Sequence, residues 1–104
     1  MNIEDSTLIK ALTCLSDPTR LNIASHLGRD NPANITRRLF RIGPNDQIQE
    51  KQYNRILKHI QRMEKDQVIM KSRMADNARA QDYELTIIGK EAMAKKGYGK
   101  EGRY

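Results

Sequence analysis

The 104-residue chain is short of the residues that build disulfides, metal sites and membrane spans. Cys14 is its one cysteine, which excludes an intrachain disulfide and a multi-cysteine metal site within one chain. His26 and His59 lie far apart in the sequence and lack a partner at metal-ligand spacing. No apolar run approaches the roughly 18 residues of a transmembrane helix. We therefore expect no bound metal and no membrane association.

The six glycines do not form a phosphate-binding loop. They fall at expected helix ends or in the C-terminal tail, whereas such a loop concentrates them between a strand and a helix. No Ser/His/Asp or Cys/His set has suggestive local spacing, and no pair of carboxylates stands in an apolar context. We therefore expect no cofactor and no catalytic activity.

The first ten residues, MNIEDSTLIK, place acidic side chains before apolar ones. A secretory signal peptide has a basic segment followed by an apolar one. Together with the lack of a membrane span, this predicts a soluble, cytoplasmic protein. The hydrophobic fraction of 38% supports only a small core, so a second subunit would help to bury apolar surface.

Positive charge is concentrated in the middle of the chain, whose net charge is +6. Residues 35–81 carry 11 basic and 5 acidic side chains, whereas residues 1–34 carry 3 and 4, and residues 82–104 carry 5 and 4. A basic central segment between nearly neutral ends is typical of a surface that binds a polyanion. A solvated helix face is the simpler alternative, and charge alone does not separate the two.

The first 43 residues predict three short helices. Asp5 or Ser6 is expected to cap the first, in which Leu8, Leu12 and Leu15 recur at helical spacing.

The second and third helices have the same start signal. Asp17 is a good N-cap before Pro18, and Asn31–Pro32 repeats the arrangement. Gly28 and Gly43 are expected to end these helices. The buried stripes are predicted to be Leu21, Ala24 and Leu27, with Ile23 beside them, and then Ile35, Leu39 and Ile42.

The strongest helical periodicity follows, and it ends near Lys65. The fourth helix is expected to begin either near Asp46, where Asp46 and Gln49 suit a capping box, or near Glu50. Its buried stripe is predicted to be Tyr53, Ile56, Leu57, Ile60 and Met63.

The periodicity then changes to that of a hairpin and a last helix. Residues 67–74 and 80–86 predict two strands around a loose tip at Ala75–Arg79. Thr86 is expected to cap the final helix, which Gly97 ends.

Three segments resemble families of transcription regulators. Ala11–Ala24, ALTCLSDPTRLNIA, resembles the ALSDPTRLxIL signature of arsenic-repressor-type (ArsR) regulators. His59–Met63, followed by Val68–Ile69, resembles that family's HLKxL…GLV motif. Tyr83–Gly89, YELTIIG, is similar to the YxLTxxG found after the wing in MarR- and PadR-type regulators. The resemblance covers about residues 6–97, and the segment between Leu39 and Ile60 is longer than its counterpart in the family.

The resemblance implies a mainly α-helical α+β fold, the winged helix-turn-helix, with four helices, a two-stranded wing and a C-terminal helix. It implies a DNA-binding domain over residues 1–97. The glycine-rich, polar segment that follows, residues 98–104, predicts a flexible tail. The resemblance also implies a homodimer through residues 6–15 and 87–96 on a palindromic site, although the same residues would instead fill the core of a monomer. The family's metal-sensing cysteine pairs and histidine–carboxylate sites have no counterpart in this chain, so we expect no metal response.

The polar face of the fourth helix carries groups suited to a DNA major groove. Arg forks onto guanine, Gln and Asn pair with adenine, and Lys neutralises phosphate. Arg37, Arg38 and Arg41 are candidates for backbone phosphates, though a plainly exposed face fits them equally well. Arg73 and Arg79 flank the expected hairpin tip, from which they would reach phosphates or a minor groove. The candidate DNA-binding residues are Lys51, Gln52, Asn54, Arg55, Lys58, His59, Arg62, Arg37, Arg38, Arg73 and Arg79.

These observations favour a sequence-specific regulator of transcription that binds double-stranded DNA. The alternative is a winged-helix module that docks proteins or binds RNA within a larger assembly, because the fold alone does not determine function.

Overall fold

A computed structural model describes residues 3–72 and 81–98, and the side chains from residue 5 onward. These residues form five helices and a two-stranded antiparallel sheet, so the mainly helical α+β class is confirmed. In chain order the elements are α1 (Ile3–Cys14), α2 (Pro18–Ser25), α3 (Pro32–Phe40), α4 (Glu50–Lys65), β1 (Ile69–Lys71), β2 (Tyr83–Leu85) and α5 (Ile87–Lys95).

Three of the helices begin at the caps that the sequence predicts. Asp17 accepts hydrogen bonds from the amides two and three residues ahead, at 2.8 and 3.1 Å. Asn31 and Thr86 each accept one from the amide three residues ahead, at 2.8 Å. Pro18 and Pro32 occupy the first helical positions, where no amide hydrogen is needed.

The expected glycine stops of α2 and α3 were wrong. Helix α2 ends at Ser25, before Gly28, and α3 ends at Phe40, before Gly43. Arg41 caps α3 in the left-handed conformation, with φ at 56°, and its amide donates to the carbonyl four residues back. A non-glycine residue thus closes α3, and the sequence carries no signal for it.

The start of α1 differs from expectation, whereas α4 begins at one of its two expected starts. Helix α1 begins at Ile3, so Asp5 and Ser6 lie within its first turn and do not cap it. The Asp5 carboxylate there interacts favourably with the positive end of the helix dipole. Helix α4 takes the later of its two expected starts, at Glu50. Gln49 precedes it without a side-chain capping bond, so the proposed capping box is absent, and the Asp46 amide closes a separate turn.

The sheet pairs two strands that are shorter than the predicted segments 67–74 and 80–86. The register is Ile69 with Leu85, Met70 with Glu84 and Lys71 with Tyr83. The expected hairpin tip lies outside the described residues.

A single residue before α3 joins the other edge of β2. Asp30 and Tyr83 exchange two backbone hydrogen bonds, at 2.8 and 3.1 Å, so the sheet is tied to the start of α3. This contact is absent from the sequence-based expectation.

The core lies between the helices, with α3 against α4, α1 against α5, and α2 against α4. No helix in the described part of the chain is long and apolar enough to cross a membrane. The buried core residues are Ala11, Cys14, Leu15, Ile23, Ala24, Ile35, Ile56, Ile60, Met63, Val68, Ile69, Tyr83, Ala92 and Met93.

Candidate functional site

Helix α4 has one buried and one polar face, as its periodicity predicts. Tyr53, Ile56, Ile60 and Met63 are buried, while Leu57 is half-buried. The outer side is exposed at Lys51, Asn54, Arg55, Lys58 and Arg62.

Five of the predicted site residues lie together in a shallow concavity of about 490 Å³. The first two and a half turns of α4 supply its polar side chains, and Phe40, the last residue of α3, supplies an aromatic one. No carboxylate lines it among the described residues, so its field is positive. The lining residues are Phe40, Lys51, Gln52, Asn54, Arg55 and Lys58.

Arg62 lies outside this concavity and has a partner within its own helix turn. Its Nε donates to Oδ2 of Asp66 over 2.6 Å. That hydrogen bond, with the carboxylate charge, raises the pKa of the guanidinium. The charge of Arg62 is therefore partly neutralised before any ligand arrives.

Arg37 and Arg38 on α3 are also engaged inside the molecule. Arg37 donates to the backbone carbonyls of Gly43 and Asp46, the latter over 2.7 Å, and so braces the loop between α3 and α4. Arg38 pairs with Asp30 over 3.3 Å. These contacts give both arginines a structural role.

His59 is half-buried and faces α2 rather than the concavity. Its Nδ1 lies 3.3 Å from Nη1 of Arg20. Partial burial lowers the pKa of His59, and the charges of Arg20 and Arg55 lower it further against the opposing effect of Asp17. His59 is therefore poorly suited to serve as a cation at the surface.

The remaining arginines lie apart from the concavity or outside the described residues. Arg41 is exposed at the end of α3. Arg73 and Arg79, the predicted wing contacts, belong to the segment that the structure does not describe.

Phe40 is the member of the concavity that sequence reasoning missed. It follows Leu39 directly and so falls about 100° around α3 from the predicted stripe. A large apolar side chain off the buried stripe was the available signal, and it is the single phenylalanine of the chain.

No group of three or more His, Cys, Asp or Glu side chains able to hold a metal occurs within residues 5–72 and 81–98. Cys14 is buried at the end of α1. Burial, opposed by the nearby Arg20 charge, raises its pKa to about 11. At neutral pH the thiol is therefore protonated and a poor metal ligand or nucleophile.

A scan against protein-family models and searches of curated proteins and of solved structures found no significant match to this chain.

Proposed function

We propose that this protein is a sequence-specific regulator of transcription that binds double-stranded DNA through α4. The observation that carries the proposal is the concavity at the start of α4, where three cations and two amides converge and no carboxylate is among the described lining residues. Lys51, Arg55 and Lys58 are all exposed, and none has an ion-pair partner among the described salt bridges.

The chemistry of the lining side chains matches the edges of DNA bases and the phosphates beside them. An arginine fork reads guanine O6 and N7, and a glutamine or asparagine amide reads adenine N6 and N7. Lysines neutralise phosphates and so hold the helix in register along the duplex. Arg55 is assigned to a base, and Lys51 and Lys58 to the backbone.

The element order supports a winged helix-turn-helix of the ArsR type. In that assignment α3 and α4 are the helix-turn-helix pair, β1 and β2 are the stems of the wing, and the Asp30–Tyr83 bridge holds the wing against the start of α3. Arg37 donates to two backbone carbonyls of the long connection between α3 and α4, and the outer face of α4 beyond that connection is exposed.

A homodimer is part of the proposal, because two copies would read a palindromic operator. Leu15, Ala92 and Met93 are buried in the core of a single chain and therefore cannot contribute to the interface. Ile9 and Ile87, which lie in the expected interface, are still 62% and 82% exposed. Bound at a promoter, such a dimer would act sterically on RNA polymerase.

The test starts with selection of bound sequences from random duplex DNA by the full chain. Affinity for the selected site is then measured for Arg55→Ala and Lys58→Ala, with Lys65→Ala, an exposed lysine at the end of α4, as the matched control for charge. Arg55→Ala should cost about 1–3 kcal/mol and relax the preference at one position, and Lys58→Ala should weaken all sequences alike.

Lys65→Ala should bind nearly as the parent does, because Lys65 is the last residue of α4 and lies outside both the concavity and the expected dimer interface. No enrichment of any duplex sequence would instead favour the docking or RNA-binding module. If Arg55→Ala and Lys58→Ala both bind like the parent, with the fold intact by circular dichroism, α4 is not the reading element.

A further inference from the structure

We infer that Phe40 is a specificity residue whose ring contacts the C5-methyl group of a thymine in the major groove. The inference rests on the proposed function and adds a contact that the polar residues of α4 do not supply.

Phe40 is placed between the core and the concavity. It is half-buried and packs against the core cluster, and its remaining surface lines the concavity with Gln52, Asn54 and Arg55. Anchoring in the core holds the ring in place, so little conformational entropy is lost when a ligand covers it.

The structure of duplex DNA restricts which groups the Phe40 ring can contact. Base faces inside a duplex are covered by their neighbours, so a side chain entering the major groove meets only base edges. The C5-methyl of thymine is the apolar group on those edges in unmodified DNA. An aromatic ring among cations and amides thus has one apolar partner in the proposed ligand.

A C5-methyl group also occurs on 5-methylcytosine, and the neighbours of Phe40 favour thymine. Gln52 and Asn54 line the same concavity, and their amides match N6 and N7 of the adenine that pairs with thymine. The amides and Phe40 together match both halves of an A·T pair.

The experiment removes the methyl group from the DNA and leaves the protein intact. Each thymine of the selected operator is replaced in turn by deoxyuridine, and affinity is measured with the full-length parent, Phe40→Ala and Phe40→Leu. One replacement should weaken the parent about fourfold, the worth of about one buried methyl group. The affinity of Phe40→Ala should not change when that thymine is replaced by deoxyuridine. Phe40→Leu keeps an apolar anchor in the core, and the replacement should weaken its binding less than about twofold.

Gln52→Ala serves as the matched control, because it lowers overall affinity but should retain the fourfold effect of the methyl group. A further duplex carries a 5-methylcytosine·guanine pair at the same position and should bind at least as weakly as the deoxyuridine duplex. Parental affinity for it would overturn the assignment to thymine.

The outcomes separate this contact from the proposed function. Duplex binding with no deoxyuridine effect at any position, or with the same effect in parent, Phe40→Ala and Phe40→Leu, overturns the Phe40 contact alone. If Phe40→Ala does not fold, Phe40→Leu and the parent decide. Absence of any duplex binding by the parent overturns the proposed function and this contact with it.

Discussion

Nη1 of Arg20 lies 3.3 Å from Nδ1 of His59, and this contact joins α2 to the inner side of α4. A guanidinium only donates hydrogen bonds, so Nδ1 accepts and the imidazole proton is on Nε2. Arg20 is itself held by the Cys14 carbonyl, to which its Nε donates over 2.7 Å. The end of α1, the start of α2 and the middle of α4 are thereby linked through one side chain.

This contact predicts an acid-sensitive fold. The pKa of His59 is below its ordinary value of 6.5 in the folded protein, chiefly because the ring is partly buried. The unfolded chain therefore takes up the proton first, and the free energy of unfolding should begin to fall as the pH drops below about 6.5. Denaturant unfolding of the parent and of His59→Gln at about pH 7.5 and about pH 5 measures the effect. Between the two pH values, the free energy of unfolding of His59→Gln should fall by less than that of the parent. Equal losses in the two proteins would contradict this role of His59.

Gly89 should tolerate no side chain, since α5 approaches the backbone of the residue before β1. A Cβ at this position would lie 2.1 Å from the carbonyl oxygen of Val68. Gly89→Ala should therefore lower the free energy of unfolding by about 1–3 kcal/mol or more. Gly28→Ala is the matched control, because a Cβ at Gly28 meets nothing within 4 Å. Equal stability of the two variants in denaturant unfolding would refute the close approach.

Cys14 should be unreactive in the native state. Burial raises the pKa of its thiol to about 11, and the reactive thiolate is then scarce at about pH 8. An aromatic disulfide reagent should modify the native protein at a rate limited by unfolding, and the denatured protein within seconds to minutes. Rapid modification of the native chain would show that the end of α1 opens freely.

Structural features that depend on residues within one helical turn of each other could be predicted from the sequence. Asp17, Asn31 and Thr86 each cap a helix through an amide three residues ahead, and the adjoining residue types were sufficient to find them. The amphipathic stripe of α4 was equally local, which is why Lys51, Arg55 and Lys58 could be assigned to its outer face.

Contacts between distant parts of the chain could not be predicted. The bridge from Asp30 to Tyr83 and the pairing of Arg20 with His59 join residues whose proximity only the folded chain creates. The left-handed cap at Arg41 is stabilised by tertiary context against the intrinsic preference of a non-glycine residue.

The candidate site also contains both local features, which the sequence could predict, and long-range contacts, which it could not. Arg62 and Arg38 are among the predicted DNA-binding residues, although each has a carboxylate partner within the protein. The Arg62–Asp66 pair, four residues apart on one helix, was available to sequence reasoning. Phe40 also carried a sequence signal, but its place in the concavity could not be predicted, because it depends on how α3 packs against α4.

The proposed homodimer predicts a mass of about twice 12.0 kDa in light scattering at micromolar concentration. Ile9→Lys and Ile87→Lys should each shift the protein towards the monomer, since both place a charge on exposed apolar surface of the expected interface. Ile48→Lys is the matched control, because Ile48 is half-buried in the loop between α3 and α4 and lies against residues of those helices, away from the expected interface. A parent mass near 12.0 kDa would contradict the dimer.

The salt dependence of duplex binding tests the central claim, that the N-terminal half of α4 binds the DNA backbone and bases. If a dimer neutralises roughly six to ten phosphates, the affinity of the parent should fall about a thousandfold or more between about 50 and 200 mM salt. Lys58→Ala should lower the slope of log affinity against log salt by about 1 for each phosphate contact that it removes, while Lys65→Ala leaves the slope unchanged. No binding at low salt, or the same slope in all three proteins, would contradict the account.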